Sequence, residues 1–118
     1  MSPAGAARAA LMAGLARVPD LRVYDDLAAV VDPPGAVVGP PRLTPDGYGP
    51  DLVNAVFVVG LVAPASDRAL DVLFDLVQPV CDAIYEVPGA VVTECSPGTW
   101  PAGAASLPAY LVEVEMSL

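Results

Sequence analysis

Neither histidine nor lysine occurs in these 118 residues, and all positive side-chain charge rests on five arginines. Their absence removes the commonest general base, the Schiff-base amine, the phosphate-loop cation and the usual zinc ligand, so most enzyme classes lose their central group. Basic surface is equally scarce. Five arginines face fourteen carboxylates, for a formal charge of −9. Gripping nucleic acid through its phosphates needs a basic face that this balance cannot build, so DNA is repelled rather than held. Cysteine is limited to Cys81 and Cys95, whose spacing fits no C-x-x-C or other metal pattern; both are expected as reduced, packed thiols. Long apolar runs are missing too. The longest, 52–63, contains Asn54 and stops at Pro64, short of the roughly 20 residues of a membrane helix. The Ala-rich opening segment is interrupted by Arg17 before the apolar core of a secretion signal develops. No membrane partner is expected.

What is present is apolar. Hydrophobic residues make up 55% and charged residues 16% of the chain, a composition that folds rather than one that remains an acidic tail. One domain spanning 1–118 is the expectation, because a chain of this length buries about two-thirds of its unfolded surface around a single core.

Ser2 and Pro3 open a helix over 3–17 as cap and first-turn residue, and Pro19 ends it. Gly14 weakens this helix by about 1 kcal/mol relative to Ala, so it depends on docking against something. Alternation predicts a strand at 21–25, and after the break at 32–35 a short edge strand at 36–39. Residues 39–51 hold four Pro and three Gly and are expected as a surface loop with a turn at 45–47. Arg42, Leu43 and Tyr48 in this loop either anchor a partner or decorate a solvated hairpin connection. The β-branched stretch 53–62 predicts a central strand covered on both faces. Ser66 is expected to cap a second helix, followed by strands at 90–95 and 110–116 and a loop at 96–108 carrying Trp100, as a contact residue or folded back over the sheet. The expected fold is α/β (α+β), a largely antiparallel sheet of four to five strands packed by two helices, in the order α-β-β-β-α-β-β.

The second helix and last strand hold the candidate surfaces. On a helical wheel Leu73, Phe74, Val77, Cys81 and Ile84 fall within about 60° of Leu70, and the six form an expected core stripe. Val72, Leu76 and Val80 widen the apolar arc to roughly 200°, more than one sheet needs, and are therefore candidate subunit-contact residues. Asp67, Asp71, Asp75 and Asp82 crowd the remaining arc, and Pro79 is expected to kink or split the helix. In the last strand Tyr110, Val112, Val114 and Met116 share one face, while Leu111, Glu113 and Glu115 share the other. Two carboxylates at that spacing mark a wet face rather than general acid–base chemistry. Asp25 and Asp26 lack the loop spacing of an oxygen-ligand metal site. No catalytic, cofactor-binding or metal-ligating residue is assigned.

The order of elements, with "RVYD" and "PPGAVV" strands, a long apolar strand ending at "PASDRA", the helix "ALDVLFDLVQPVCDAI" and a closing "YLVEVEM" strand, resembles the tail terminator and tail-completion proteins of long-tailed bacteriophages. The resemblance covers about residues 8–118. It implies a structural virion protein at the head-proximal end of the tail, forming a homo-oligomeric, hexameric ring that docks on the tail tube protein, stops tube polymerisation and meets the head-side connector or stopper protein. DNA would pass through the ring without specific binding. The elements that the resemblance implies at contacts are the second helix, the 39–51 loop and the exposed sheet face. Trp100 joins the contact candidates from its loop setting, and Glu113 and Glu115, with Asp67, Asp71 and Asp75, are expected at the channel or exposed face, where carboxylates would keep DNA from sticking. Other readings are a connector or minor tail protein of the same neck region, an accessory subunit of a secretion or contractile machine, and a small ligand-binding or enzymatic α+β domain.

Overall fold

The computed structural model describes residues 2–25, 33–45, 48–102 and 105–118. Helix α1, Pro3–Leu15, begins as its sequence dictates: Ser2 stands at the cap position, its hydroxyl accepts from the Gly5 N–H at 3.1 Å, and Pro3 occupies the first turn. Strands β1, Arg22–Tyr24, and β2, Gly35–Val38, follow, then β3, Arg42–Pro45, and β4, Leu52–Val62. Helix α2, Ala69–Tyr85, leads to a hairpin of two 13-residue strands, β5, Ala90–Ala102, and β6, Ala105–Ser117.

The sheet has six strands in the order β1-β2-β4-β6-β5, with β3 also on β4. It is mixed rather than purely antiparallel, since β1 runs parallel to β2 and every other pairing is antiparallel. Both helices lie on one face. Phe57, Val59 and Leu61 of β4, Val112 and Val114 of β6, and Ala36 and Val38 of β2 meet Leu11 and Leu15 of α1 and Leu73, Val80 and Ile84 of α2 in one dry core. Among the described residues no polar or charged side chain is buried in it. Gly14 is a contact position: a Cβ there would stand 2.5 Å from a Val87 methyl, so the glycine that weakens α1 lets it dock beside α2.

β2, expected at an edge, is instead paired on both sides, by β1 and β4, with all four residues buried, because the prolines that flank it lie outside its ladder. Four further expectations are corrected. First, a ladder does run through part of 39–51. Val38 pairs with Val59 and Arg42 with Val56, so β2 and β3 are one strand along β4, interrupted at 39–41; prolines are tolerated because this stretch needs no second neighbour. The remainder is the hairpin connection, and Asp46 and Gly47 of the expected turn lie outside the described residues.

Second, 96–102 and 105–108 of the expected loop are strand, and Pro97, Pro101 and Pro108 sit within the β5–β6 ladder. β5 is an edge strand, so a missing N–H can point away from its single partner. Third, α2 runs through Pro79 without splitting. Pro79 is exposed beside Asp75 and Gln78, so water can satisfy the carbonyl that the ring leaves unbonded. The helix begins at Ala69 with Arg68 at the cap position; the Ser66 hydroxyl instead accepts from the Arg68 N–H in the preceding turn. Fourth, β4 is central but covered on both faces only at its end, 59–62; nearer its start the face away from the helices is open, and Val58 is 46% exposed there.

Candidate interaction surfaces

Three surfaces follow from this layering. The first is the flank of α2 beside β5. Its core stripe is rotated from the expected one: Ala69, Leu73, Val80 and Ile84 are buried, while Leu70 and Phe74 are 53% and 55% exposed. Val80, expected to meet a neighbouring subunit, is fully buried within the chain, and Val72 and Leu76 pack half-buried against the same core. The outward apolar residues are Leu70, Phe74 and Tyr85, which with Cys81 fall within about 60° of helical arc. Phe74 leans on Tyr110 of β6, with ring centroids 6.0 Å apart at 59°. Beyond this flank lies β5, an edge strand whose outer side pairs with no described strand. Pro97 and Pro101 remove two of its donors, which blunts the edge against indiscriminate pairing.

The second surface is the sheet face opposite the helices. One end is closed. A Cβ at Gly60 would stand 2.9 Å from the Trp100 ring, so the indole rests on that glycine, on the face where Val37 and Val62 are also buried. Trp100 is therefore folded back over the sheet. Leu111 likewise lies over Gly98, where a Cβ would stand 3.3 Å from its side chain.

The other end of that face is open and mixed. Val58 pairs with Glu113, and Val56 and Val91 both stand opposite Glu115. A bulge sets Thr93 and Glu94 against Glu113, and the Thr93 hydroxyl reaches the Glu113 carboxylate at 3.2 Å and its carbonyl at 3.3 Å. Two carboxylates, Glu94 and Glu113, thus occupy one cross-strand position, an arrangement that does not stabilise a sheet by itself.

The third surface is the β3–β4 hairpin. Arg42, Leu43 and Tyr48 are exposed there, Tyr48 at 96%. Leu43 also borders an open groove of about 450 Å³ shared with Ser2, Pro3, Pro50, Leu52 and Leu118.

The acidic residues divide between the two layers. Asp71, Asp75 and Asp82 are exposed on α2, where Gln78 Nε2 donates to Asp82 Oδ1 at 2.8 Å, and Asp67 is exposed in the turn before it. Glu113 and Glu115 point from the opposite side of the sheet.

Two relationships have no motif behind them. Arg8 on α1 donates from Nη2 to the Val38 carbonyl at 2.7 Å and to the Asp25 carbonyl, joining the helix to the ends of β1 and β2. The sulfurs of Cys81 and Cys95 lie 3.9 Å apart. Neither is deeply packed, for Cys81 is half-buried and Cys95 exposed. Desolvation, then the neighbouring Cys95 and Asp82, push the Cys81 thiol up to about 11. Asp25 is exposed and Asp26 lies outside the described residues; among those described, no three His, Cys, Asp or Glu side chains are grouped to hold a metal. Compared with models of protein families and with curated proteins, the chain matches none.

Proposed function

We propose that the chain is a structural virion protein, a tail terminator that assembles into a hexameric ring at the head-proximal end of a phage tail. The ring ends polymerisation of the tail tube protein and offers the joining surface to the head-side connector or stopper protein. The observation that carries this assignment is the apolar flank of α2, where Leu70, Phe74 and Tyr85 are each more than half exposed beside the edge strand β5. The subunit already has an apolar core of its own, which does not need these side chains for its completion, and clustered exposed apolar groups mark contact surfaces. A contact between this flank and an unlike surface of the next copy is heterologous, and contacts of that type close into rings when the rotation between copies permits.

The order of elements supports the same assignment through the resemblance noted in the sequence. Of the two acidic surfaces, the sheet face with Glu113 and Glu115 is assigned to the channel, because carboxylates there keep DNA phosphates from sticking during passage. Deleting the gene tests the function: headless tails of uncontrolled length are expected, and tails of normal length joined to heads would refute it. A structure of the assembled ring with Glu113 and Glu115 on its outer wall would overturn the channel assignment alone.

A further inference from the structure

We propose that Cys81 and Cys95 form a site of reversible covalent modification, an intrachain disulfide that ties α2 to β5 when the protein meets an oxidising disulfide compound such as oxidised glutathione. The two sulfurs are brought together by the fold, not by proximity in sequence. Cys95 pairs in register with Val112, whose side chain is fully buried on the helix side of the sheet, so Cys95 projects toward α2. Cys81 lies on the flank of α2 that overhangs β5, one residue after the fully buried Val80. Both cysteines thus belong to packed elements. Their sulfurs, 3.9 Å apart, need to approach by roughly 2 Å to reach bonding distance, within the reach of side-chain rotation.

The chemistry has a natural direction. Exposed Cys95 attacks the oxidant first, forming a mixed disulfide and releasing one thiolate. Cys81 then loses its proton to solvent and attacks the Cys95 sulfur, forming the protein S–S bond and displacing the second thiolate. Two protein thiols are oxidised by two electrons, and one molecule of oxidant is reduced to two thiols. Cys81 is poorly suited to the first attack, since burial and its neighbour disfavour its thiolate. Once Cys95 is blocked, the part of that penalty owed to a charged Cys95 disappears.

The disulfide does not depend on the tail-terminator assignment, and it is tested on the full chain in glutathione buffers of graded redox ratio. Acid quenching, alkylation and intact-mass measurement follow. The expected product is a monomer lighter by two hydrogens with no thiol left to alkylate, whereas Cys81→Ser and Cys95→Ser each stop at a single glutathione adduct or a free thiol. Because the fold pre-positions the sulfurs, the equilibrium constant for closure should be higher in native protein than in urea, on the order of tenfold. Persistent alkylation of both cysteines, a stable mixed disulfide in the unsubstituted chain, an interchain dimer, or closure no more favourable in native protein than in urea would each overturn the proposal.

Discussion

Trp100 reaches past β6 to rest on Gly60 of β4, so closely that a Cβ at residue 60 would stand 2.9 Å from the indole ring. The contact closes one end of the sheet face that no helix covers, and it explains why an otherwise β-branched central strand is interrupted by glycine. Gly60→Val should therefore cost about 1–3 kcal/mol despite the better strand propensity of valine. Trp100→Ala should cost roughly 2 kcal/mol, less than a fully buried tryptophan, because the ring is half-buried. In the Trp100→Ala background most of the Gly60→Val penalty should vanish, a coupling of about 1 kcal/mol or more in urea denaturation. Simple additivity would mean that the indole does not hold this position in solution.

The same contact shows what the sequence left unread. The cap at Ser2, the existence of the strands on either side of the first break, the apolar strand 53–62 and the two faces of the last strand were all legible, because each is written in local spacing; the interior position of β2 was not, since its flanking prolines read as edge residues. The extensions of β5 and β6 were not, since Pro97, Pro101 and Pro108 read locally as loop residues. The position of β5 at the edge makes Pro97 and Pro101 compatible with a ladder, and Pro108 lies in β6 just past the last residue paired with β4. The phase of α2 was ambiguous for a different reason. With apolar residues spread over roughly 200°, the wheel does not say which flank is innermost, and the fold chose Leu73, Val80 and Ile84 over Leu70 and Phe74. The Arg8 bridge and the meeting of Cys81 with Cys95 depend on register and tertiary placement, which leave no motif in the chain.

Gly14 provides a second steric test. Alanine is the better helix former by about 1 kcal/mol, but its methyl would lie 2.5 Å from the Val87 side chain where the two helices meet. Gly14→Ala should be net destabilising, by about 1 kcal/mol. Adding Val87→Ala should recover more of the Gly14→Ala loss than Val87→Ala gains or loses alone. A stabilised Gly14→Ala single variant, measured by thermal or urea unfolding, would show that the helices have room to spare.

The raised pKa of Cys81 has a signed consequence. Its ordinary value is 9.0 and the folded value is about 11. Between those limits the native state holds the proton that the unfolded chain releases, so stability falls as pH rises through that window. Below about pH 8 the group makes no difference. Cys81→Ser should flatten the decline in stability between pH 9 and 11 under reducing conditions, as read from urea midpoints. An unchanged slope would place the alkaline loss on other groups.

The flank of α2 separates folding from assembly. Val80→Asp should prevent folding, because it places an unpaired carboxylate in a site with no solvent access. Leu70→Asp lies in the first turn of the helix, more than half exposed, and a carboxylate at that end is favoured by the helix dipole. Its unfolding free energy should stay within about 0.5 kcal/mol of the parent, as should that of Tyr85→Ser. Phe74→Ser should lose about 1 kcal/mol, the value of its tilted contact with Tyr110. If this flank joins one subunit to the next, the folded double variant Leu70→Asp/Tyr85→Ser should fail to support tail completion and give the headless, overlong tails expected of the deletion. Electron microscopy of infected-cell lysates reads that outcome directly. Normal joined tails from a folded double variant would place the subunit contact elsewhere.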